Sequence, residues 1–409
     1  MIQDHIVYSE YSNFAFKLGK AEGLYLWDDK GHQLLDFSSG WNVANLGWNH
    51  PEVVEAFVSQ AHKNSYAPMW SADPIQEAYA AALLEAYPGV DTAIRVTGGT
   101  EANEVAVKLA RAATGRTKVI GFRDTYHGQL FAAMALGYRP EYVTAIDPLV
   151  PDFIQLSYPA RHDDPTKDAE TLATYKASLE AALSKRNVAA IFIEAGIVTG
   201  WGACRMAVDG FVEATRELTS NYGTLLVVDE VGTGFSRVGS LFGIDQFKVE
   251  PDIATLAKGI CNGVGGLGAV LSRAELIEPT IENANYTSTF GWMPTSCAAA
   301  LATLQIHRRD KVWENAAKRG EQLLNELHNK LPEGVAVRGK GLEACIDFTS
   351  YDNADALAKQ VVVKSYEAGL HLAPSGGGII QLMPPCIIGE KELSQGVAIV
   401  GEAVAASVQ

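Results

Sequence analysis

The sequence has little cysteine, a deficit of positive charge and no long apolar run. Its five cysteines, at positions 204, 261, 297, 345 and 386, are an odd number with no C-x-x-C spacing, and none stands at zinc-finger distance from a histidine pair. A disulfide framework and a metal site are therefore not expected, and the thiols read as reduced and buried. Lys plus Arg number 33 against 48 Asp plus Glu, and the net charge of −15 repels phosphate backbones, which argues against general nucleic-acid binding. No apolar segment is long enough to cross a bilayer, and Met1-Ile2-Gln3-Asp4-His5 lacks a basic patch followed by an apolar stretch. A cytoplasmic chain acting on small molecules, without a membrane partner, is the expectation. Repeats and low-complexity tracts are absent as well.

What the chain contains is an alternation of elements. Hydrophobic residues make up 47% and charged residues 20% of its 409 positions, the balance of a globular enzyme with one large domain and a smaller companion. Residues 23–37 alternate apolar and polar about Asp28-Asp29-Lys30-Gly31, which predicts a hairpin in a β-rich N-terminal arm. Helical periodicity begins at Pro51 and returns over 76–86. Strands at 93–96, 118–122, 189–193, 224–228, 252–256 and 268–271 then alternate with helices over 101–114, 169–184 and 210–222. That order predicts an α/β fold whose mainly parallel sheet is covered by helices on both faces. A long helical pattern runs from 295 toward 331, interrupted near Arg309-Asp310. Beyond Pro332, short strands (335–338, 342–348), a helix (355–368), segments 369–373 and 379–383 and a closing helix from Lys391 form an α+β layer. Ser375-Gly376-Gly377-Gly378 reads as a flexible turn within it. The expected division is a large domain over 55–310 and a small one assembled from 1–54 and 311–409.

Two apolar strands each end in one residue of opposite chemistry: Asp229 after Leu225-Leu226-Val227-Val228, and Lys258, 29 residues later, after Ile253-Ala254-Thr255-Leu256-Ala257. A desolvated lysine can lose its proton and condense with an aldehyde, and a buried carboxylate can keep a pyridine nitrogen protonated, the electron-sink arrangement of pyridoxal phosphate. Between the strand at 93–96 and the helix at 101–114 stands Thr97-Gly98-Gly99-Thr100, a Gly-Gly turn with Thr100 expected as the cap, where free N–H groups and the helix dipole can receive a phosphate. Tyr126-His127-Gly128 follows the next strand, where ligands of parallel sheets collect, and Tyr126 can stack on a planar ring.

The run from Thr97 to Arg111, Tyr126-His127-Gly128, Asp229-Glu230-Val231-Gly232-Thr233-Gly234-Phe235, the segment from Pro251 to Gly259, and Thr287-Ser288-Thr289-Phe290-Gly291 follow one another as in the class III (omega-type) aminotransferases, which the chain resembles over nearly its whole length. These are fold-type-I pyridoxal phosphate enzymes. The resemblance implies that Lys258 forms the internal aldimine and shuttles a proton, and that Asp229 pairs with the pyridine nitrogen. It places Val231 and Tyr126 on the two ring faces, Gly99 and Thr100 at the phosphate, and His127 beside the cofactor. Thr289 is implied to reach the phosphate of a neighbouring subunit, hence a homodimer.

Departures from the family pattern bear on the substrate. Relatives usually carry Gln, which contacts the cofactor's phenolic oxygen, where this chain has Gly232; they have Gly-Asn-Pro at Trp292-Met293-Pro294 and proline at Ala195. Where members acting on α-amino acids hold an arginine for the α-carboxylate, the run Ile379-Ile380-Gln381 offers Gln381, and no arginine follows Arg338. A glutamine lacks the charged fork, so recognition of an α-carboxylate weakens. The expected reaction moves an amino group from an amine or an ω- or β-amino acid to a keto acid, pyruvate or 2-oxoglutarate, by a ping-pong mechanism. Trp41, Trp70 and Trp201 are candidates for an apolar pocket, and Arg161, Arg205 and Arg237 for the acceptor carboxylate. An aminomutase or a decarboxylating transaminase is the alternative on the same residues. A nicotinamide-dependent oxidoreductase rests only on Gly263-Val264-Gly265-Gly266-Leu267-Gly268, which fits G-x-G-x-x-G but leads into a strand instead of a helix.

Overall fold

The computed structural model describes residues 2–3, 5–7, 16–138, 144–162 and 164–408. Met1, Asp4 and residues 8–15 of the N-terminal region lie outside them. Seven strands form the main sheet, in the order Thr92–Val96, Gly268–Ser272, Ile253–Leu256, Leu225–Asp229, Val188–Glu194, Lys118–Phe122 and Phe153–Leu156. Six run parallel, and only Gly268–Ser272 is antiparallel to both its neighbours. The expected mainly parallel sheet is therefore present.

Period-two patterning explains how this sheet is sandwiched. Ile191, Ile193, Leu226, Val228, Ala254 and Leu256 belong to one core, while Ala190, Phe192, Leu225, Val227 and Ile253 belong to the other. Every residue of Val188–Glu194 is buried, as an uninterrupted apolar central strand requires. Helix Gly99–Thr114 covers one side, with seven buried residues on the face toward the sheet and Gly115 in left-handed conformation ending it.

Two further four-stranded sheets flank the first. One has the order Ala336–Lys340, Glu343–Asp347, Ile379–Leu382, Ala373–Gly376; the other runs Leu370–His371, Gln33–Asp36, Tyr25–Asp28, Leu18–Glu22. The parallel pairing of Leu370–His371 with Gln33–Asp36 brings both ends of the chain into one sheet. The long pattern after 295 resolves into helices Pro294–Arg309 and Val312–Lys330, broken where Lys311 takes a positive φ of 45°. Ser375-Gly376-Gly377-Gly378 closes the hairpin between Ala373–Gly376 and Ile379–Leu382. Helix Phe131–Gly137 and edge strand Phe153–Leu156 were not expected from the periodicity. No helix among the described residues is long and apolar enough to cross a membrane, and all five cysteines are buried and unpaired.

Candidate active site

The carboxyl ends of the main-sheet strands open onto a cavity of about 350 Å³. At one end of it, strand Thr92–Val96 passes through Thr97-Gly98 into the helix that begins at Gly99. Gly98, not Thr100, holds the cap position, and it offers no side chain to the N–H groups of the first turn. The Gly-Gly step closes the turn without a capping residue, so the first N–H groups lack an intrahelical acceptor beside a cavity that Gly98, Gly99 and Thr100 line. Two neighbours show how tightly this cradle is cut. A Cβ on Gly99 would stand 3.0 Å from Val231 Cγ1, and one on Gly128, whose φ of +135° already favours glycine, would stand 2.5 Å from Thr100 Oγ1.

Lys258 lies just beyond Ile253–Leu256 and faces the same cavity. Its backbone is left-handed, with φ of 50°, a conformation that a non-glycine residue adopts at a cost of about 1–3 kcal/mol. The 3₁₀ turn that follows holds it there, through Ile260 N donating to Ala257 O at 3.1 Å and Asn262 N to Gly259 O at 3.2 Å.

Asp229 ends the adjacent strand and is 2% exposed. Its Oδ1 accepts from Val231 N at 2.9 Å, and its Oδ2 accepts from Asn103 Nδ2 at 2.8 Å and pairs with His127 Nδ1 at 2.7 Å. Burial pulls the His127 imidazole down, but the hydrogen bond and charge of Asp229 outweigh it, so the ring sits above its ordinary value. Asn103 escaped the sequence reading. It donates also to His127 O at 2.7 Å and accepts from Thr255 Oγ1 at 2.8 Å, locking helix, loop and two strands around one carboxylate. Its position three residues after Thr100, on the same helix face, is the signal that could have found it.

Glu194, at the end of the next strand, also went unnoticed; it lines the cavity, and burial lifts its carboxyl to about 7. Tyr126 is on the cavity wall with its ring edge-on to Trp201, centroids 5.5 Å apart, and Trp201 is tied by Nε1 to Thr125 O at 3.1 Å. Lys258, Asp229, Gly99, Thr100, Tyr126, His127 and Val231 are thus brought together around one space. Thr289, Trp41, Trp70 and Gln381 are not on the wall of that space within a single chain. Thr289 is exposed, Trp41 is 42% and Trp70 85% exposed, and Gln381 is buried, donating through Nε2 to Thr199 O at 3.3 Å and to the Glu343 carboxylate. Arg161 binds Asp209 near the surface, Arg205 binds Asp124 O, and Arg237 is fully buried among carbonyls and side chains. Among the described residues, no arginine lines the cavity. The glycine-rich run 263–268 lines it too, but leads into strand Gly268–Ser272, so the helix a dinucleotide site needs is absent there.

The chain matches the family model for class-III aminotransferases over residues 6–404. It belongs to that family. It is 34% identical over 402 residues to an acetylornithine aminotransferase of Methanopyrus kandleri, across 97% of this chain and 96% of that enzyme. To an acetylornithine aminotransferase of Synechocystis it is 32% identical over 418 residues, across 99% and 93%. Its fold matches an amine transaminase from an uncultivated Pseudomonas species, solved in the PLP-bound internal aldimine form, with a TM-score of 0.92, 27% identity and 99% of both chains covered.

Class-III aminotransferases are fold-type-I enzymes, and the cofactor is pyridoxal 5′-phosphate. The residues of this aminotransferase fit it. The cofactor needs phosphate donors, an amine for its aldehyde and an anion for its ring nitrogen. The uncapped helix start with a cradle that a Cβ at Gly99 or Gly128 would fill, Lys258 and the buried Asp229 offer that donor set in one cavity.

Proposed function

We propose that the chain transfers an amino group from an amine or an ω- or β-amino acid to a keto acid, pyruvate or 2-oxoglutarate, in two half-reactions at this cavity. The observation that carries the reading is Lys258 and Asp229 on neighbouring strand ends, with the glycine cradle beside them. Bound pyridoxal phosphate supplies an electron-withdrawing ring for the carbon that loses its proton. Gly99 and Thr100 would hold its phosphate, and Val231 and Tyr126 would flank its ring. Asp229 keeps a negative charge at the ring nitrogen, and Asn103 and His127 hold the carboxylate in that orientation. Lys258 Nζ accepts the proton from the carbon bearing the amino group and returns it on the other side of the nitrogen.

Support for a donor whose recognition does not rest on an arginine at position 381 comes from Gln381, whose amide is engaged by Thr199 O and the fully buried Glu343. Trp41, Trp70 and Gln381 are part of this proposal as substrate-side residues. So is a homodimer in which Thr289 reaches the partner's phosphate. Phe290 at 61% exposed and Tyr66, whose ring meets Phe290 at 6.3 Å, give the surface beside Thr289 the apolar character a partner would cover. The reading also keeps the large domain at 55–310 and the small one at 1–54 and 311–409, in line with a main sheet confined between Thr92 and Ser272, and a cytoplasmic setting, in line with unpaired thiols.

Lys258→Ala abolishes turnover on this reading and removes the absorbance band through which borohydride attaches the cofactor to the protein; a band still reducible in the variant sinks the assignment. A panel of amines and keto acids then follows the wild-type half-reactions. Donors yield a keto product or aldehyde, and pyruvate or 2-oxoglutarate restores the starting spectrum. Failure of every keto acid to do so overturns the transaminase reading in favour of an aminomutase.

A further inference from the structure

The cavity wall beyond Asp229 carries polar groups to which the proposed reaction gives no part. Gly232 has no side chain, yet the space above it is filled: a Cβ there would lie 2.0 Å from Thr199 Oγ1 and 2.9 Å from Thr199 Cβ. Thr199 is 7% exposed and held at three points. Its N–H donates to Glu194 Oε2 at 2.8 Å, its Oγ1 lies 2.5 Å from the same oxygen, and its carbonyl accepts from Gln381 Nε2 at 3.3 Å. Glu194 is 4% exposed, and its second oxygen, Oε1, is shielded with no hydrogen-bond partner. Both residues line the cavity.

Strand order says which edge of the cofactor meets this wall. The cradle follows Thr92–Val96, Lys258 follows Ile253–Leu256, Asp229 ends Leu225–Asp229 and Glu194 ends Val188–Glu194, and these strands lie in that order across the sheet. In pyridoxal phosphate the aldehyde is para to the ring nitrogen, flanked on one side by the phosphate arm and on the other by the phenolic hydroxyl. With the nitrogen at Asp229, the aldehyde at Lys258 and the phosphate at the cradle, the hydroxyl edge would face away from the cradle, on the side of Glu194 and Thr199.

We infer that Thr199, held in place by Glu194, donates a hydrogen bond to the phenolic oxygen of the cofactor, at the point where Gly232 supplies no side chain. The inference rests on the ring orientation in the proposed function. Burial favours the protonated form of Glu194, lifting it to about 7. When Glu194 holds its proton, that proton bonds Thr199 Oγ1 and the threonine hydrogen turns into the cavity. Positions 199 and 232 are then complementary: glycine at 232 is the condition for threonine at 199, because any side chain at 232 displaces the hydroxyl.

The test uses the purified holoprotein. Thr199→Val keeps the shape and removes the hydroxyl, while Thr199→Ser keeps the hydroxyl and trims a methyl. Thr199→Val is expected to raise the dissociation constant for pyridoxal phosphate about 10-fold and to displace the bound-cofactor absorbance maximum, with Thr199→Ser within about twofold of wild type. The pair Thr199→Gly with Gly232→Gln moves the donor to the other position and is expected to bind the cofactor more tightly than Thr199→Gly alone. The inference is overturned if Thr199→Val matches wild type, if serine is as damaging as valine, or if the double variant recovers nothing. A wild-type protein without a borohydride-reducible band overturns the ring assignment itself, which separates the two failures.

Discussion

Asp229 takes its orientation from groups that come from far along the chain, and Asn103 is the most consequential of them. The two residues are 126 positions apart, and Asn103 is 152 positions from Thr255, its other partner. Asn103→Leu leaves Asp229 with His127 and Val231 N, and strands His127 O and Thr255 Oγ1 without a partner. Unfolding free energy is expected to fall by about 2 kcal/mol in denaturant titration, and kcat about 10-fold or more, with cofactor still bound. An unchanged kcat would remove Asn103 from the positioning of Asp229. Lys258 and Asp229 were legible because each terminates a short apolar run, a local pattern. Asn103 was not, since an asparagine inside a helical pattern reads as a weak helix former until the strands it meets are known. Glu194 and Thr199 stayed hidden for the same reason, because their meeting with Gly232 belongs to packing. The left-handed backbone of Lys258 likewise has no signature in residue type.

On the proposed reading, the helix Gly99–Thr114 and the turn at Gly128 act as one clamp on the phosphate position. Gly128→Ala introduces a methyl 2.5 Å from Thr100 Oγ1 at a φ of +135°, so either the turn or the first helical turn has to move. Cofactor affinity is expected to drop about 10-fold or more while the far-UV circular dichroism stays unchanged. Equal affinity in the variant would mean that the turn is free to shift. Strands and long helices were readable by periodicity, with strand Lys118–Phe122 placed at its observed bounds. The seven-residue helix Phe131–Gly137 and the edge strand Phe153–Leu156 were not, because neither has a capping side chain or an alternation long enough to show. Strand direction was also illegible. The residues of Gly268–Ser272 are all buried, as are those of the adjacent Ile253–Leu256, and only the pairing reveals the reversal.

Across the whole molecule, buried titratable groups set how stability follows pH. His307 is fully buried, its Nδ1 pairing with Ser236 Oγ at 2.7 Å, and burial together with the charges of Arg237 and His50 pushes it from 6.5 down to about 3. Below pH 6.5 the unfolded chain therefore binds a proton that the folded chain refuses, and stability falls with acid by about 1.4 kcal/mol per pH unit from this group alone. His307→Gln is expected to flatten the decline of melting temperature between pH 6.5 and 4, and an unaltered slope would refute the assignment. Glu230, lifted to about 7 by burial, acts with the opposite sign and takes stability away as pH rises from 4.5 to 7. For the proposed dimer, Phe290→Arg places a charge in the exposed apolar group beside Thr289 and is expected to give monomers in light scattering that bind cofactor more weakly; dimers of normal affinity would place the interface elsewhere. Arg237 has a consequence of a different kind. Its guanidinium donates to Leu342 O and Pro384 O at 2.8 and 2.7 Å, to Ser39 Oγ at 3.3 Å and to Asn45 Oδ1 at 2.6 Å. These acceptors span residues 39 to 384. Every strand of the main sheet precedes Leu342 and Pro384 in the chain, so Arg237 gains two of its four acceptors only once the C-terminal segment has been made and packed beside it.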